Sequence, residues 1–227
     1  FVDFKKNIVK VLMVLIPCFF TLSFGFFGVL VLSTILFLLF VLLKHRTIHR
    51  AFLYPVISLI FAGAVLLSFD NILSNRIGKV LTGEDSSVNG RLTESYYLAN
   101  KMVQEEDKFF GVGLGQIEIV GEKYIREYYN YPIEEWPVVS LPNATAETLA
   151  MCGYPGLVIR FSLVIFLFFK FKVYRNYFNL LFFLFLFVYQ LMGSFFTSTA
   201  ELTLWIIAIL PVFKEFQIQS SRNFKLI

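Results

Sequence analysis

The 227-residue chain is poor in the side chains that bind metals or form disulfides, with two cysteines and two histidines. Cys18 lies in an apolar run and Cys152 at the edge of another, a spacing that fits neither a disulfide framework nor a zinc knuckle. His45 and His49 both lie in a short basic segment. Charged residues make up only 16% of the chain, well below the share usual in soluble proteins. The sequence therefore gives no indication of redox chemistry or a metal site.

Apolar side chains dominate instead. The chain is 57% hydrophobic, has 29 phenylalanines and a mean hydropathy of +0.71. This composition lies outside the range of soluble domains and predicts an integral membrane protein. The chain starts at Phe1 without a signal-like leader, so we expect it to be part of a longer protein.

The apolar runs predict six membrane-spanning helices, because a helix needs about 20 mostly apolar residues to cross the hydrocarbon layer. Two spans come from the 36-residue run 8–43, separated by a turn at residues 23–28; one long tilted helix is the alternative. The remaining spans are residues 51–69, 156–171, 177–192 and 201–213. The prediction is an all-α membrane protein with spans in 1–69, a loop in 70–155, spans in 156–213 and a tail in 214–227.

Basic residues flank these runs in four clusters that fall on one face, which is the pattern of a cytoplasmic side. Residues 70–150 hold 13 of the 16 acidic residues but 7 of the 20 basic ones. We therefore expect this segment to be an extracytoplasmic loop. The net charge of +4 then reflects topology and gives no reason to expect nucleic acid as a partner. The clusters are Lys5, Lys6 and Lys10; Lys44, Arg46 and Arg50; Lys170, Lys172 and Arg175; and Lys214, Arg222 and Lys225.

An amphipathic helix is predicted in the loop from Asn89, which is a plausible N-cap, with Leu92, Tyr96, Ala99 and Val103 along one face. Arg91 would then lie in the first turn, where a guanidinium and free backbone N–H groups can hold a phosphate. The alternative is a surface ion pair of this arginine with Glu94 or Glu84.

Three alternating glycines, Gly111, Gly113 and Gly115, follow that helix. A dinucleotide fingerprint requires a preceding buried strand, and a Walker loop requires a following Gly-Lys-Ser/Thr; neither is present. What remains is a backbone that adopts positive φ and lets a ligand approach, or simply a turn.

Aromatic residues crowd the segment that carries Arg126, namely Tyr124, Tyr128, Tyr129, Tyr131 and Trp136. Such rings can stack on sugars, but they also gather at membrane interfaces and in loop cores.

A second loop helix is predicted to start at Asn143, with Glu147 one turn in and an end at Gly153 and Pro155. Asn143 either caps this helix or binds a sugar. Glu147 either serves as a general base or favours the positive helix N-terminus.

These motifs, in this order, resemble those of the Wzy-type O-antigen polymerase and O-antigen ligase family of bacterial membrane glycosyltransferases. The family pattern is Gly-Arg at a loop helix, an aromatic residue before Gly-x-Gly-x-Gly, His-Asn-x-x-Leu-Glu, and Gly-x-x-Gly leading into a span. The likeness runs from the second predicted span to the fifth. The matching residues are Gly90-Arg91, Phe110-Gly-Val-Gly-Leu-Gly115, Asn143 with Glu147, and Gly153-Tyr-Pro-Gly156.

The resemblance implies transfer of a glycan from an undecaprenyl-diphosphate carrier to an acceptor sugar hydroxyl, at the outer face of the bacterial cytoplasmic (inner) membrane and without nucleotide, metal or other cofactor. It also implies a chain-length regulator or a flippase as protein partners. Pro142 replaces the family histidine and Phe24 stands where an arginine is often seen, which favours polymerase over ligase. Arg91 and Glu147 are the implied catalytic residues. Substrate-binding candidates are Gly111, Gly113, Gly115, Arg126, Asn143 and Arg160.

Arg160 lies in an apolar span, four residues after Gly156. Ionisable groups in membranes usually face a cavity, which makes Arg160 a second candidate for the diphosphate. Snorkelling to the interface is the alternative. Two other function classes stay open: a lipid-linked oligosaccharide flippase or transporter, and a non-catalytic membrane scaffold that binds cell-wall components.

Overall fold

The computed structural model describes residues 24–44, 75, 78–80, 82–132, 140–193, 199–210 and 217. These residues are mainly helical, and strand-type pairing within them is limited to an isolated bridge between Asn176 and Gln217. A π-helical turn, Gly90–Glu94, and a 3-10 turn, Val173–Arg175, complete the elements. The α-helices are α1 Phe24–Lys44, α2 Ser86–Asn89, α3 Ser95–Glu105, α4 Ile117–Tyr129, α5 Ala144–Lys170, α6 Tyr177–Tyr189 and α7 Thr199–Ile209.

Helix α5 links the loop to the apolar part of the protein and is broken at Gly153, whose φ of 64° and ψ of −168° are not helical. Pro155 falls in the first turn after this break, where its missing N–H and fixed φ are tolerated. A Cβ on Gly156 would lie 2.2 Å from Cβ of Cys152, so a glycine there lets the two segments of α5 pack closely. The predicted helix start at Asn143 and the break at Gly153 and Pro155 are confirmed.

Two hydrophobic clusters lie on either side of this break. The first joins α3, α4 and the first segment of α5 through buried residues that include Met102, Ile125 and Leu149. The second joins the later part of α5 to α6 and α7 around Val164 and Phe183. Helix α5 therefore contributes to both cores and fixes the loop relative to the apolar helices.

The loop helix begins earlier than the sequence predicts. Asp85 is the N-cap, with its carboxylate accepting from the Val88 N–H at 3.0 Å, whereas Asn89 is helical and makes no cap bond. A carboxylate competes well for this position because the helix dipole favours negative charge there. The predicted cap at Asn89 is therefore wrong, and Arg91 lies inside the helical run rather than in a first turn with free N–H groups.

The π-helical turn also changes the predicted apolar face. Each π turn holds an additional residue, which shifts the register of the helix that follows. Leu92 is consequently exposed, while Leu98 and Met102 join Ala99 and Val103 in the core.

The prediction of six membrane spans is wrong for the part of the chain that the structure describes. There, one helical stretch, Ala144–Arg175, which is α5 with the 3-10 turn after it, is long and apolar enough to cross a membrane, whereas the apolar part of α1, Gly28–Val41, is too short. Helices α6 and α7 have 13 and 11 residues, about 20 and 17 Å, short of a hydrocarbon layer of about 30 Å. Residues 24–28, part of the predicted turn, are helical in α1. The predicted span 51–69 and most of the first one lie outside the described residues.

Candidate functional site

Asn143 holds three separate segments together at the start of α5. Its Oδ1 accepts from the backbone N–H groups of Thr145 and Ala146 at 3.0 and 3.1 Å, which is a helix cap. Its Nδ2 donates to the carbonyl oxygens of Arg91 at 2.8 Å and Leu191 at 2.5 Å. The side chain is fully buried. The structure thus gives Asn143 the capping role, and its hydrogen bonds are made inside the protein.

Arg91 and Glu147 belong to two segments that Asn143 joins, although 56 positions separate them in the sequence. Glu147 is partly exposed in the first turn of α5, and its N–H donates to the Asn143 carbonyl oxygen at 2.9 Å. Arg91 is also partly exposed, and no other described residue forms an ion pair or a side-chain hydrogen bond with its guanidinium. The alternative pairing of Arg91 with Glu84 or Glu94 is thus not formed. The two predicted catalytic residues lie on adjoining elements at the junction of loop and apolar helix.

Arg126 makes its side-chain contacts at the C-terminal end of its own helix, α4. Its Nε donates to Glu122 Oε1 at 2.7 Å and its Nη1 to the Pro132 carbonyl oxygen at 2.7 Å. These contacts fix the chain as it leaves α4 at the left-handed residue Asn130. The structure places this predicted substrate-binding residue in an intramolecular ion pair.

The tyrosines divide between core and surface. Tyr124 is buried, donates to Glu106 Oε1 at 2.9 Å, and has its pKa raised chiefly by burial and further by that carboxylate. Tyr97, Tyr128, Tyr129 and Tyr131 remain exposed, with neighbouring ring centroids 4.8 to 5.8 Å apart. We call these four residues the tyrosine cluster.

The tyrosine cluster is attached to the helical segment that carries Arg91. The Tyr129 hydroxyl donates to Glu94, which lies one residue short of α3. Burial, followed by this carboxylate, raises the pKa of Tyr129, so its hydroxyl stays protonated as a donor. Tyr97 was missed in the sequence because it belongs to α3, about 30 positions before the other three.

The glycine loop, residues 107–116, packs against the break in α5. The Val112 N–H donates to the Ala150 carbonyl oxygen at 2.8 Å, the Gly113 N–H to Met151 at 3.1 Å, and the Tyr154 N–H to Lys108 at 3.2 Å. A Cβ on Gly111 would lie 2.2 Å from Ala150 O, and one on Gly153 would lie 2.6 Å from Phe109 O. Gly111, Gly113 and Gly115 all have positive φ. The backbones of the loop and of α5 therefore approach too closely for a side chain at Gly111 or Gly153. Two N–H groups of the loop are occupied by hydrogen bonds to α5.

We predict that Gly111→Ala destabilises the protein more than Gly115→Ala does. Both positions have positive φ, which costs an alanine about 1 kcal/mol. At Gly111 the new Cβ also meets backbone, and moving the loop away from α5 weakens the three hydrogen bonds between them, for a total of about 3 kcal/mol. No atom lies within 4 Å of a Cβ at Gly115. Thermal unfolding of the two variants in detergent checks this; equal melting temperatures would contradict the packing role.

Arg160 lies in a polar network between apolar helices. Its Nη2 contacts Glu201 Oε1 at 2.9 Å, its Nε donates to Gln190 Oε1 at 3.1 Å, and its Nη1 to Thr148 Oγ1 at 3.2 Å. The side chains of Arg160 and Glu201 are only 13% and 14% exposed. The break at Gly153 makes the contact with Thr148 feasible, because 12 residues of straight helix would span about 18 Å.

The arginine thus faces the helix junction and does not snorkel, and its charge is balanced by a carboxylate from α7. A diphosphate would have to displace Glu201 to bind it. Glu201 was not singled out in the sequence, although one arginine and one glutamate in separate apolar helices are a pairing signal.

The described residues contain no group of three or more His, Cys, Asp or Glu side chains arranged to hold a metal ion. Comparison with known proteins adds no relative: no family model, no curated protein and no solved structure matches this chain.

Proposed function

We propose that the protein is a membrane glycosyltransferase that extends a surface polysaccharide from repeat units carried on undecaprenyl diphosphate. The observation that carries the proposal is the hydrogen bond from Asn143 Nδ2 to the Arg91 carbonyl oxygen, 2.8 Å long. It joins the backbone of Arg91, whose side chain is cationic, to the helix that presents Glu147 and then continues into an apolar segment. A lipid-linked diphosphate substrate requires these features together: a cation for the diphosphate, a group for the acceptor hydroxyl, and contact with lipid.

In the proposed reaction the acceptor hydroxyl oxygen attacks the anomeric carbon of the donor sugar. A carbon–oxygen bond forms there, the bond from that carbon to the diphosphate oxygen breaks, and the leaving oxygen keeps the electron pair. Arg91 stabilises the charge that develops on the diphosphate, as positioned donors do in transition states. Glu147 takes the proton of the hydroxyl.

Helix α5 supplies the contact with the bilayer in this proposal. Its apolar stretch after Gly153 exposes large side chains such as Val158, Leu163 and Phe169. Only 11% of its most apolar stretch is buried in the protein, unlike the core helix of a soluble domain. Lipid is the environment that accommodates such a surface.

The tyrosine cluster is the proposed contact for the glycan. Its four exposed rings offer apolar faces of the kind that stack on sugars. The Tyr129 to Glu94 hydrogen bond connects the cluster with the turn that carries Arg91. A growing chain held on these rings would reach the reacting centre from the side of α4.

A lipid-linked oligosaccharide transporter is the second candidate, and the Arg160–Glu201 pair favours it. Charged residues paired between apolar helices are common in transport pathways. A transporter moves its substrate without changing glycan length, so product analysis separates the two functions.

The test is a reconstitution of the full-length protein in liposomes with an undecaprenyl-diphosphate oligosaccharide. We expect glycans longer than one repeat unit, resolved by gel electrophoresis or mass spectrometry. Translocation with unchanged glycan length would support the transporter, and the absence of both activities would contradict both candidates.

We predict that the loop carrying the site is extracytoplasmic. A cysteine at Glu118, an exposed position in the first turn of α4, should react with a membrane-impermeant maleimide in intact spheroplasts. A cysteine at Lys170, in a basic cluster after the apolar segment, is the matched control and should react only after lysis. The reverse pattern would place the site on the side that lacks the proposed acceptor.

A further inference from the structure

The glycine loop exposes a group of large apolar side chains. Phe109, Phe110 and Leu114 are 69%, 77% and 74% exposed, and Ile119 follows in the first turn of α4 with 71%. Single exposed apolar residues are common on proteins, whereas several on one short loop indicate a surface that meets an apolar partner.

The loop holds these side chains in a fixed conformation. Asp107 Oδ1 accepts from the N–H groups of Phe109 and Phe110 at 2.7 and 3.0 Å, and these bonds keep the pKa of this carboxyl below its usual range. The close packing of Gly111 against Gly153 then fixes the loop on α5. The two phenylalanines are therefore presented on an ordered turn rather than left exposed by a lack of structure.

A hydrogen bond between the loop and α5 fixes the position of the loop along the helix axis. The Tyr154 N–H bonds the Lys108 carbonyl oxygen at 3.2 Å, and the exposed apolar surface of α5 begins one helical turn later with Val158 and Ile159, 65% and 66% exposed. The loop is thus attached to α5 one helical turn before the surface that we propose contacts lipid.

We propose that the glycine loop is seated in the interfacial layer of the bilayer, with Phe109, Phe110 and Leu114 at the boundary of headgroups and acyl chains. Aromatic side chains favour this layer, and the exposed Lys108 extends its ammonium toward lipid phosphates. The loop then holds the adjoining site at the membrane surface, where a lipid-linked diphosphate is presented. This inference rests on the proposed membrane placement of α5.

The test uses single cysteines in the full-length protein, with Cys18 and Cys152 replaced by alanine, labelled with an environment-sensitive fluorophore in nanodiscs. Labels at Phe110 and Leu114 should emit at shorter wavelength, resist quenching by aqueous iodide, and be quenched by lipids that carry a nitroxide near the headgroup. A label at Lys123, on α4 and 69% exposed, should be quenched by iodide and not by the lipid nitroxide.

A label at Phe166 in α5 separates the two proposals. If deep acyl-chain nitroxides quench this label while iodide reaches the labels at Phe110 and Leu114, α5 lies in the membrane but the loop does not lie in its interfacial layer. This result overturns the inference about the loop and leaves the membrane placement of α5 intact. A Phe166 label without lipid quenching overturns the membrane placement itself. Loop labels that resist iodide but ignore lipid nitroxides indicate a second protein copy on this surface, and this result also overturns the proposal.

Discussion

Replacing Arg91 with alanine should slow glycan elongation about 100-fold, which corresponds to roughly 3 kcal/mol of lost transition-state stabilisation. The diphosphate carries its largest charge as it leaves, so the loss should fall mainly on the rate of the chemical step. Asn143 binds the carbonyl oxygen of Arg91 rather than its side chain, so the substitution leaves this hydrogen bond in place. Arg91→Lys should recover only part of the rate, because it keeps the charge but loses the bidentate geometry.

The matched control is Lys123→Ala, which removes a cation from the same loop at an exposed position of α4. Its ion pair with Glu105, at 3.7 Å, is a surface contact of small energetic value. Elongation by this variant should stay near the wild-type rate, measured with protein of matched thermal stability. Equal activities of the Arg91→Ala and Lys123→Ala variants would remove Arg91 from the reaction.

Glu147→Gln should lower the elongation rate by about 10²–10⁴-fold if this carboxylate takes the proton of the acceptor hydroxyl. Glutamine keeps the shape and hydrogen-bonding capacity of the side chain but cannot accept the proton. The wild-type rate should fall at acidic pH as the carboxylate is protonated, and this acidic limb should disappear in the variant. The measurement is the initial elongation rate against pH for both proteins.

Glu118→Gln is the control for a purely electrostatic role. Glu118 occupies the first turn of α4 as Glu147 occupies the first turn of α5, so both interact with a positive helix end. Loss of the interaction with the dipole alone would weaken both variants similarly, by a few tenths to 1 kcal/mol of stability. An acidic limb that persists in Glu147→Gln and disappears in Glu118→Gln would move the base to α4.

Local signals in the sequence predicted the start of α5 and the break within it. Asn143 before a helix-forming run, and Gly153 with Pro155 inside an apolar one, mark a start and a break that depend on neighbouring residues only. The structure has both where the sequence places them. Residues 156–170 of the apolar stretch 156–171 likewise lie within α5, and Phe171 caps its C-terminus.

Competition between neighbouring cap residues and contacts between residues distant in sequence account for what the sequence did not predict. Asp85, the cap in the structure, lies one helical turn before the predicted cap Asn89, and the sequence pattern does not rank the hydrogen bonds of the two side chains. Helix α6 ends at Tyr189, before the end of the apolar run 177–192. Beyond it, the carbonyl oxygens of Leu191 and Gly193 accept hydrogen bonds from Asn143 and Ala144, which are distant in sequence. The pairing of Arg160 with Glu201 likewise depends on packing across about 40 positions, which no local pattern contains.

The contact between Gly111 and Gly153 has a consequence for genetics. The atoms that a side chain at either position would strike belong to the backbone: Ala150 O on one side, and Phe109 O and Lys108 O on the other. No second substitution can make these atoms smaller, because every residue has the same carbonyl group. A suppressor screen that starts from Gly111→Ala should therefore yield reversion to glycine and no compensating change at positions 150, 151 or 153.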